Sequence, residues 1–279
     1  MCNKVREACE QYGCFQVAYD KVSTHLHEEM FMGMKSLFDL PDEIKKKNSS
    51  PKPYRGYLTF DGSPLYESLG IEDATQLDAA RAFTDLIWPE GNPNFCRILN
   101  SMSRKILELE LIIQKMIFEA FGVEKYYDSH VENRGTILRV MKYKSPPSDV
   151  IGLLPHTDKN FLTILCQDKV GLQVLSKEGD WLQMTPAKGS FMVIVGEIFM
   201  AWSNGRFPAA KHRVVMRGGV ERLSFGLFSN PKEGVVIEAP KEFVDDEHPL
   251  IFRPFNFMDF IHYFHSNHDE NTLEIYAGV

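Results

Sequence analysis

The chain has 279 residues, 44% of them hydrophobic, and a net charge of −7, which is long enough to bury a core that needs no covalent staple. No basic stripe interleaved with aromatics is present, which argues against a nucleic-acid partner, and no apolar run has membrane-spanning or signal-peptide character. The five cysteines, Cys2, Cys9, Cys14, Cys96 and Cys166, are odd in number and include no CxxC pair, so free thiols in a reducing, cytoplasmic setting are expected.

The first half of the chain reads as helical. Val5, Ala8, Cys9 and Tyr12 recur at helical spacing, and Gly13 stops the run. Residues 15–19 alternate like a strand. A second helix is predicted over 22–38, ending before Leu40-Pro41. Lys45-Lys46-Lys47 reads as a solvated helix end. Residues 48–65, rich in Ser, Pro and Gly, read as a loop. Asn92 or Asn94 caps a long helix that runs through Phe121 and is closed by Gly122. Its stripe of Leu99, Met102, Ile106, Leu109, Ile113, Met116 and Ala120 is predicted to face a core.

From Gly135 the texture changes. Residues 136–143 are strand-like, and Pro146-Pro147 breaks them. Further short strands are predicted at 150–154, 161–166, 171–176, 181–184, 190–195, 211–216, 222–229 and 234–238. Asn204-Gly205 predicts a hairpin turn, and a last helix is expected over 256–264. The expected fold is α+β, mainly β, in a single domain. Residues 1–134 form a mostly helical part, 135–240 a double-stranded β-helix (jelly roll), and 241–279 a C-terminal helical segment. Such a core closes around an interior wide enough for a metal and its ligands.

Three side chains carry the chemistry. His156 and Asp158 stand two apart at the end of a predicted strand, so they share a face if the backbone stays extended. His212 lies on a later strand. Two imidazoles and one carboxylate are the facial triad that holds iron(II) and leaves coordination positions open. Ten residues on, Arg222 and Ser224 share a strand face, where a guanidinium fork plus a hydroxyl suits a carboxylate. Metal and anion clamp together point to an oxygenase fed by a small dicarboxylic acid. Zinc would also accept the triad, but a zinc hydrolase needs a general base. Glu197 is the only nearby carboxylate, and it reads as ordering the segment that follows it. The other histidines are weaker candidates. His25 and His27 read as surface helix residues, and His130 and His248 as residues of polar loops. His262, His265 and His268 read as one polar helix face, with a second metal site as the alternative.

These residues resemble the plant 2-oxoglutarate- and iron(II)-dependent dioxygenases. The likeness rests on Leu154-Pro155-His156-Thr157-Asp158, Gly171-Leu172-Gln173-Val174, Trp202-Ser203-Asn204-Gly205, Lys211-His212-Arg213-Val214 and Arg222-Leu223-Ser224. It extends to Ala8-Cys9-Glu10-Gln11-Tyr12-Gly13-Cys14-Phe15 in the helical part. Pro64-Leu65-Tyr66-Glu67-Ser68-Leu69-Gly70 and His156-Thr157-Asp158-Lys159-Asn160-Phe161-Leu162-Thr163 are similar to the branch with glucosinolate side-chain dioxygenases and auxin-oxidising enzymes.

The resemblance implies Fe(II), 2-oxoglutarate and O2 as reactants, with ascorbate as reductant. It implies His156, Asp158 and His212 as iron ligands. Arg222, Ser224 and Tyr143 would hold the far carboxylate of 2-oxoglutarate, and Phe228 would touch the organic substrate. Met141, on the same strand face as Tyr143, is a further pocket candidate. The implied reaction is hydroxylation, desaturation or demethylation of a small plant specialised metabolite or hormone by a monomer. Family members usually begin with a strand of the type Ile-Pro-x-Ile-Asp-Leu, whereas this chain starts almost at the first helix. The lack of that strand is expected to expose a sheet edge while sparing every motif residue. The alternative function is a catalytically impaired, shortened homologue that acts as a binding protein.

Overall fold

Some helix ends in this chain are closed by a backbone turn and others are capped by a side chain. The computed structural model describes every residue except His268. Gly13, with φ +62°, ends α1 (Cys2–Tyr12) by donating its N–H to the Cys9 carbonyl at 3.2 Å. After β1 (Cys14–Ala18), the Ser23 hydroxyl accepts from the Leu26 N–H at 3.1 Å and caps α2 (Thr24–Phe38). Next come α3 (Asp42–Lys45), β2 (Tyr57–Phe60), β3 (Ser63–Glu72) and α4 (Leu77–Ile87). Asn92 then caps the long α5 (Pro93–Ala120), with Pro93 in its first turn. Of the expected stripe, Leu99, Met102, Ile106, Leu109 and Ile113 are buried, each worth about 1.5–3 kcal/mol relative to exposure, while Met116 and Ala120 are half-buried.

The remaining elements are α6 (Tyr127–Glu132), β4 (Arg134–Tyr143), β5 (Val150–His156), β6 (Leu162–Gln167), β7 (Leu172–Leu175), β8 (Trp181–Gln183), β9 (Ser190–Val195), α7 (Glu197–Trp202), β10 (His212–Met216), β11 (Arg222–Pro231), β12 (Val236–Ile237), β13 (Phe255–Asn256), α8 (Phe257–Asn267) and α9 (Thr272–Ala277). A seven-stranded sheet has the order β1-β9-β6-β11-β4-β3-β2, and a four-stranded sheet the order β5-β10-β7-β8. All the ladders are antiparallel. This is the jelly-roll core with helices against it that the strand spacing predicted.

Alternation on β4 divides the interior. Leu138 and Val140 join the core shared with the helices, whereas Ile137, Arg139, Met141 and Tyr143 line a cavity of about 700 Å³ between the sheets. The helix-facing side carries two buried ion pairs. Lys45 Nζ meets Glu67 Oε2 at 2.6 Å, and Arg134 Nη1 meets Glu110 Oε2 at 3.1 Å.

Four readings of the sequence need correction. Part of the segment 48–65 is strand, because Tyr57, Leu58 and Thr59 pair with Leu69, Ser68 and Glu67 to form the edge of the large sheet. Asn204 and Gly205 do adopt positive φ (50° and 77°), but they end α7 rather than join two strands. The Gly205 N–H returns to the Met200 carbonyl at 2.8 Å. His130 is buried among Phe118, Phe161, Phe199 and Trp202, not in a polar loop. His27 is half-buried against Phe191 and Cys166.

Candidate active site

His156 closes β5 and His212 opens β10, where the two are direct cross-strand partners. Their rings lie 4.3 Å apart, centre to centre. Asp158 sits beyond the strand end, and the turn brings its carboxylate back. Its Oδ1 is 3.8 Å from the Nε2 of each histidine. One ligand atom from each of the three residues falls within 4.8 Å of the others.

The backbone fixes which nitrogen each ring presents. His156 Nδ1 donates to the Leu154 carbonyl at 2.8 Å, and His212 Nδ1 to the Ala210 carbonyl at 2.9 Å. A carbonyl only accepts, so Nδ1 carries the proton and Nε2 keeps its lone pair for a metal. Burial, helped by the neighbouring His212, pushes His156 down to about 4, so its ring is neutral at pH 7. The Thr163 hydroxyl donates to Asp158 Oδ2 at 2.6 Å and itself accepts from Asn160 Nδ2 at 2.8 Å. Oδ1 is thereby left facing the histidines. Two imidazoles that each turn Nε2 toward the cavity and one oriented carboxylate suit an iron(II) ion.

Arg222 and Ser224 lie on β11, in the opposite sheet. Arg222 is 1% exposed. Its bonds run to Gln167 Oε1 at 2.7 Å, Ser224 Oγ at 3.2 Å and the Lys169 carbonyl at 3.3 Å. Its guanidinium carbon is 4.9 Å from the centre of the Tyr143 ring. None of these partners is a carboxylate. Burial holds the Tyr143 phenol protonated, well above its usual range. Gly171 makes the space, since a Cβ there would lie 2.8 Å from Arg222 Cδ. A buried cation with neutral partners at the floor of a cavity is a socket for an acid. Met141 and Phe228 line the same cavity.

Glu197 is not free to serve as a hydrolytic base. It is buried and bonded to Thr157 and Lys159, and so ties the triad turn to α7, which fits its expected ordering role. His262 and His265 lie on α8, while His268 lies outside the described residues. Among the described residues, the three triad side chains are the only group placed to hold a metal. None of the described helices is long and apolar enough to cross a membrane. Reading the sequence missed Thr163, Asn160 and the two carbonyls that set the histidine tautomers. Only the short spacing of Asn160 and Thr163 from Asp158 could have pointed to them.

Comparison with known proteins agrees with this geometry. Residues 120–231 match the 2OG-Fe(II) oxygenase superfamily, and residues 1–93 match the family described as non-haem dioxygenase in morphine synthesis N-terminal. Over 269 residues the chain is 44% identical to the probable 2-oxoglutarate-dependent dioxygenase AOP1.2 of Arabidopsis thaliana, covering 93% of this chain and 83% of that one. The chain belongs to the 2OG-Fe(II) oxygenase superfamily. Among structures of this superfamily, the rice dioxygenase for auxin oxidation superposes with a TM-score of 0.86 at 30% identity, over 99% of this chain and 94% of that one. The 2-oxoglutarate complex of dioxygenase for auxin oxidation 1 from Arabidopsis thaliana gives 0.83 at 31% identity, over 89% and 94%. The protein is therefore a 2-oxoglutarate-dependent dioxygenase that uses iron.

Proposed function

We propose that His156, Asp158 and His212 hold the iron, that Arg222, Ser224 and Tyr143 grip the far carboxylate of 2-oxoglutarate, and that the enzyme oxidises a small, largely apolar plant specialised metabolite or hormone. The observation that carries this reading is the convergence of three metal-competent atoms within 4.8 Å, at a cavity that also holds the buried Arg222. The names of the relatives, an AOP dioxygenase and two auxin-oxidising enzymes, support the substrate class.

When bound, iron and 2-oxoglutarate supply the oxidising power: O2 is consumed, one oxygen atom leaves in succinate with release of CO2, and the other goes into a C–H bond or drives desaturation or demethylation. The chain itself supplies position and dryness. The Leu154 and Ala210 carbonyls hold the imidazoles in register. Thr163 holds one oxygen of Asp158 so that the other faces the metal. Arg222 and Tyr143 orient the co-substrate from the opposite sheet, and Phe228, Leu154 and Ile261 exclude water. Ascorbate keeps the iron reduced between turnovers. All five cysteines are unpaired, which supports a reducing, cytoplasmic setting.

The test is Asp158→Ala. Iron content after anaerobic loading and succinate formation should both fall to background. Full succinate formation by this variant would sink the ligand assignment. In the wild type, slow succinate release without an organic substrate separates an oxygenase from an impaired binding protein, which would give none.

A further inference from the structure

Arg139, in the middle of β4, lines the same cavity as the triad. It is 7% exposed, and its bonds go to neutral groups. Nη1 donates to Ser68 Oγ at 2.8 Å, and Nη2 donates to the Tyr54 carbonyl at 2.5 Å. The Tyr66 hydroxyl is within hydrogen-bonding reach of both Arg139 and Ser68. A guanidinium stays charged in proteins; the Asp158 carboxylate acts on Arg139 from a distance without bonding to it, and a buried charge without a bonded counter-charge is costly. Apart from Arg222, the other two Lys and Arg side chains at this cavity have acidic partners. Lys159 is bound to Glu197, and Arg55 lies 3.6 Å from Glu72.

The fold reserves space for Arg139. Its cross-strand neighbours are both glycines, Gly70 on β3 and Gly226 on β11. A Cβ on Gly70 would come within 2.9 Å of Arg139 Nη2. The grouping of Arg139, Ser68 and Tyr66 repeats the composition of Arg222, Ser224 and Tyr143. The two tyrosines are cross-strand partners with ring centres 5.2 Å apart. Arg139 lies four residues from Tyr143, the cross-strand partner of Arg222, so the two arginine positions are about 13 Å apart along the strand direction. The walls near Arg139 are apolar, with Ile137, Phe228, Met258 and Ile261 lining the cavity.

We propose that Arg139, with Ser68 and Tyr66, binds the carboxylate of the organic substrate, so that the enzyme selects small monocarboxylic acids with an apolar body. The proposal rests on the oxygenase reading, with Arg222 committed to 2-oxoglutarate. It makes Arg139 a specificity-determining residue, with no part in the oxidation step.

The experiment measures binding of phenylacetate, 4-phenylbutanoate and decanoate, and of their methyl esters, to the anaerobic complex of full-length protein, iron and 2-oxoglutarate. At least one acid should bind, and its ester should bind about ten- to a hundredfold more weakly, the range of one lost charge-assisted contact. Arg139→Met should lower the affinity for the acid to that for the ester while 2-oxoglutarate affinity stays within about twofold of wild type. Arg139→Lys should recover part of the loss. Equal binding of acid and ester, binding by none of the acids, or full acid affinity in Arg139→Met overturns the proposal. Should Arg139→Met fail to fold, the acid–ester contrast in the wild type still decides. An acid that binds to a wild type producing no succinate would instead count against the oxygenase reading.

Discussion

The two faces of the large sheet bury charge in opposite ways. On the helix-facing side, Arg134 is paired with Glu110 and Lys45 with Glu67. On the cavity side, Arg222 and Arg139 are as deeply buried, but their hydrogen bonds go only to neutral groups. The same strand contributes to both, since Arg134 and Arg139 sit on opposite faces of β4. A paired buried charge belongs to the architecture. An unpaired one marks where a ligand of the opposite sign completes the protein.

That contrast can be broken experimentally. The largest effect should come from Glu110→Ala, which leaves Arg134 buried and uncompensated and should cost about 3–5 kcal/mol of stability in urea denaturation. A loss below about 1 kcal/mol would erase the distinction between the two faces. Arg222→Met should act the other way round. It should weaken 2-oxoglutarate by about 1.5–3 kcal/mol in calorimetric titration, with the unfolding midpoint unchanged or raised. A clear drop in midpoint would make Arg222 a structural residue.

The helix-facing side also holds a buried neutral base. Burial, with Arg134 nearby, pushes His130 down to about 3, against about 6.5 for a free imidazole. Between these values the unfolded chain takes up a proton that the folded one refuses. Stability is therefore full above about pH 6.5 and falls as the pH drops below it, by about 2 kcal/mol at pH 5. His130→Phe should remove that part of the slope in urea midpoints measured from pH 7.5 to pH 5, and an identical slope would contradict the burial argument. The smallest effect is expected from Thr163→Val, which frees Asp158 Oδ2. Iron affinity should fall about tenfold with little change in 2-oxoglutarate binding, and unaltered iron affinity would show that the hydroxyl does not orient the carboxylate.

The parts of the fold written in local pattern were legible. The stripe on α5, the Asn92 cap and the short strands after Gly135 all depend on residues near one another in the chain. The triad was legible because its residue types are rare in combination, although Asp158 reaches the histidines through a turn and not by strand alternation. What escaped was non-local. β3 is held by β4, about 70 residues later, and its inward residues Tyr66, Ser68 and Gly70 gain meaning only from Arg139 across the ladder. His130 is flanked in sequence by Asp128, Ser129, Glu132 and Asn133, which read as solvated. Aromatic side chains from α5, α7 and the start of β6 nevertheless close around it. Asn204-Gly205 signalled its positive φ correctly, but the same dihedrals serve a helix end as well as a hairpin.

The cover of the cavity, Met258, Ile261 and Phe264, comes from α8, after the last barrel strand. No member of the His156–Asp158–His212 triad and no 2-oxoglutarate-gripping side chain named above lies on that helix. The cover of the entrance and the oxidising machinery are thus encoded in different stretches of the polypeptide, while Arg139 shares its strand with Tyr143. Selection can redraw the entrance by editing a few turns near the C-terminus while the oxidising machinery is inherited untouched, and a chimaera exchanging only that helix offers the same freedom at the bench.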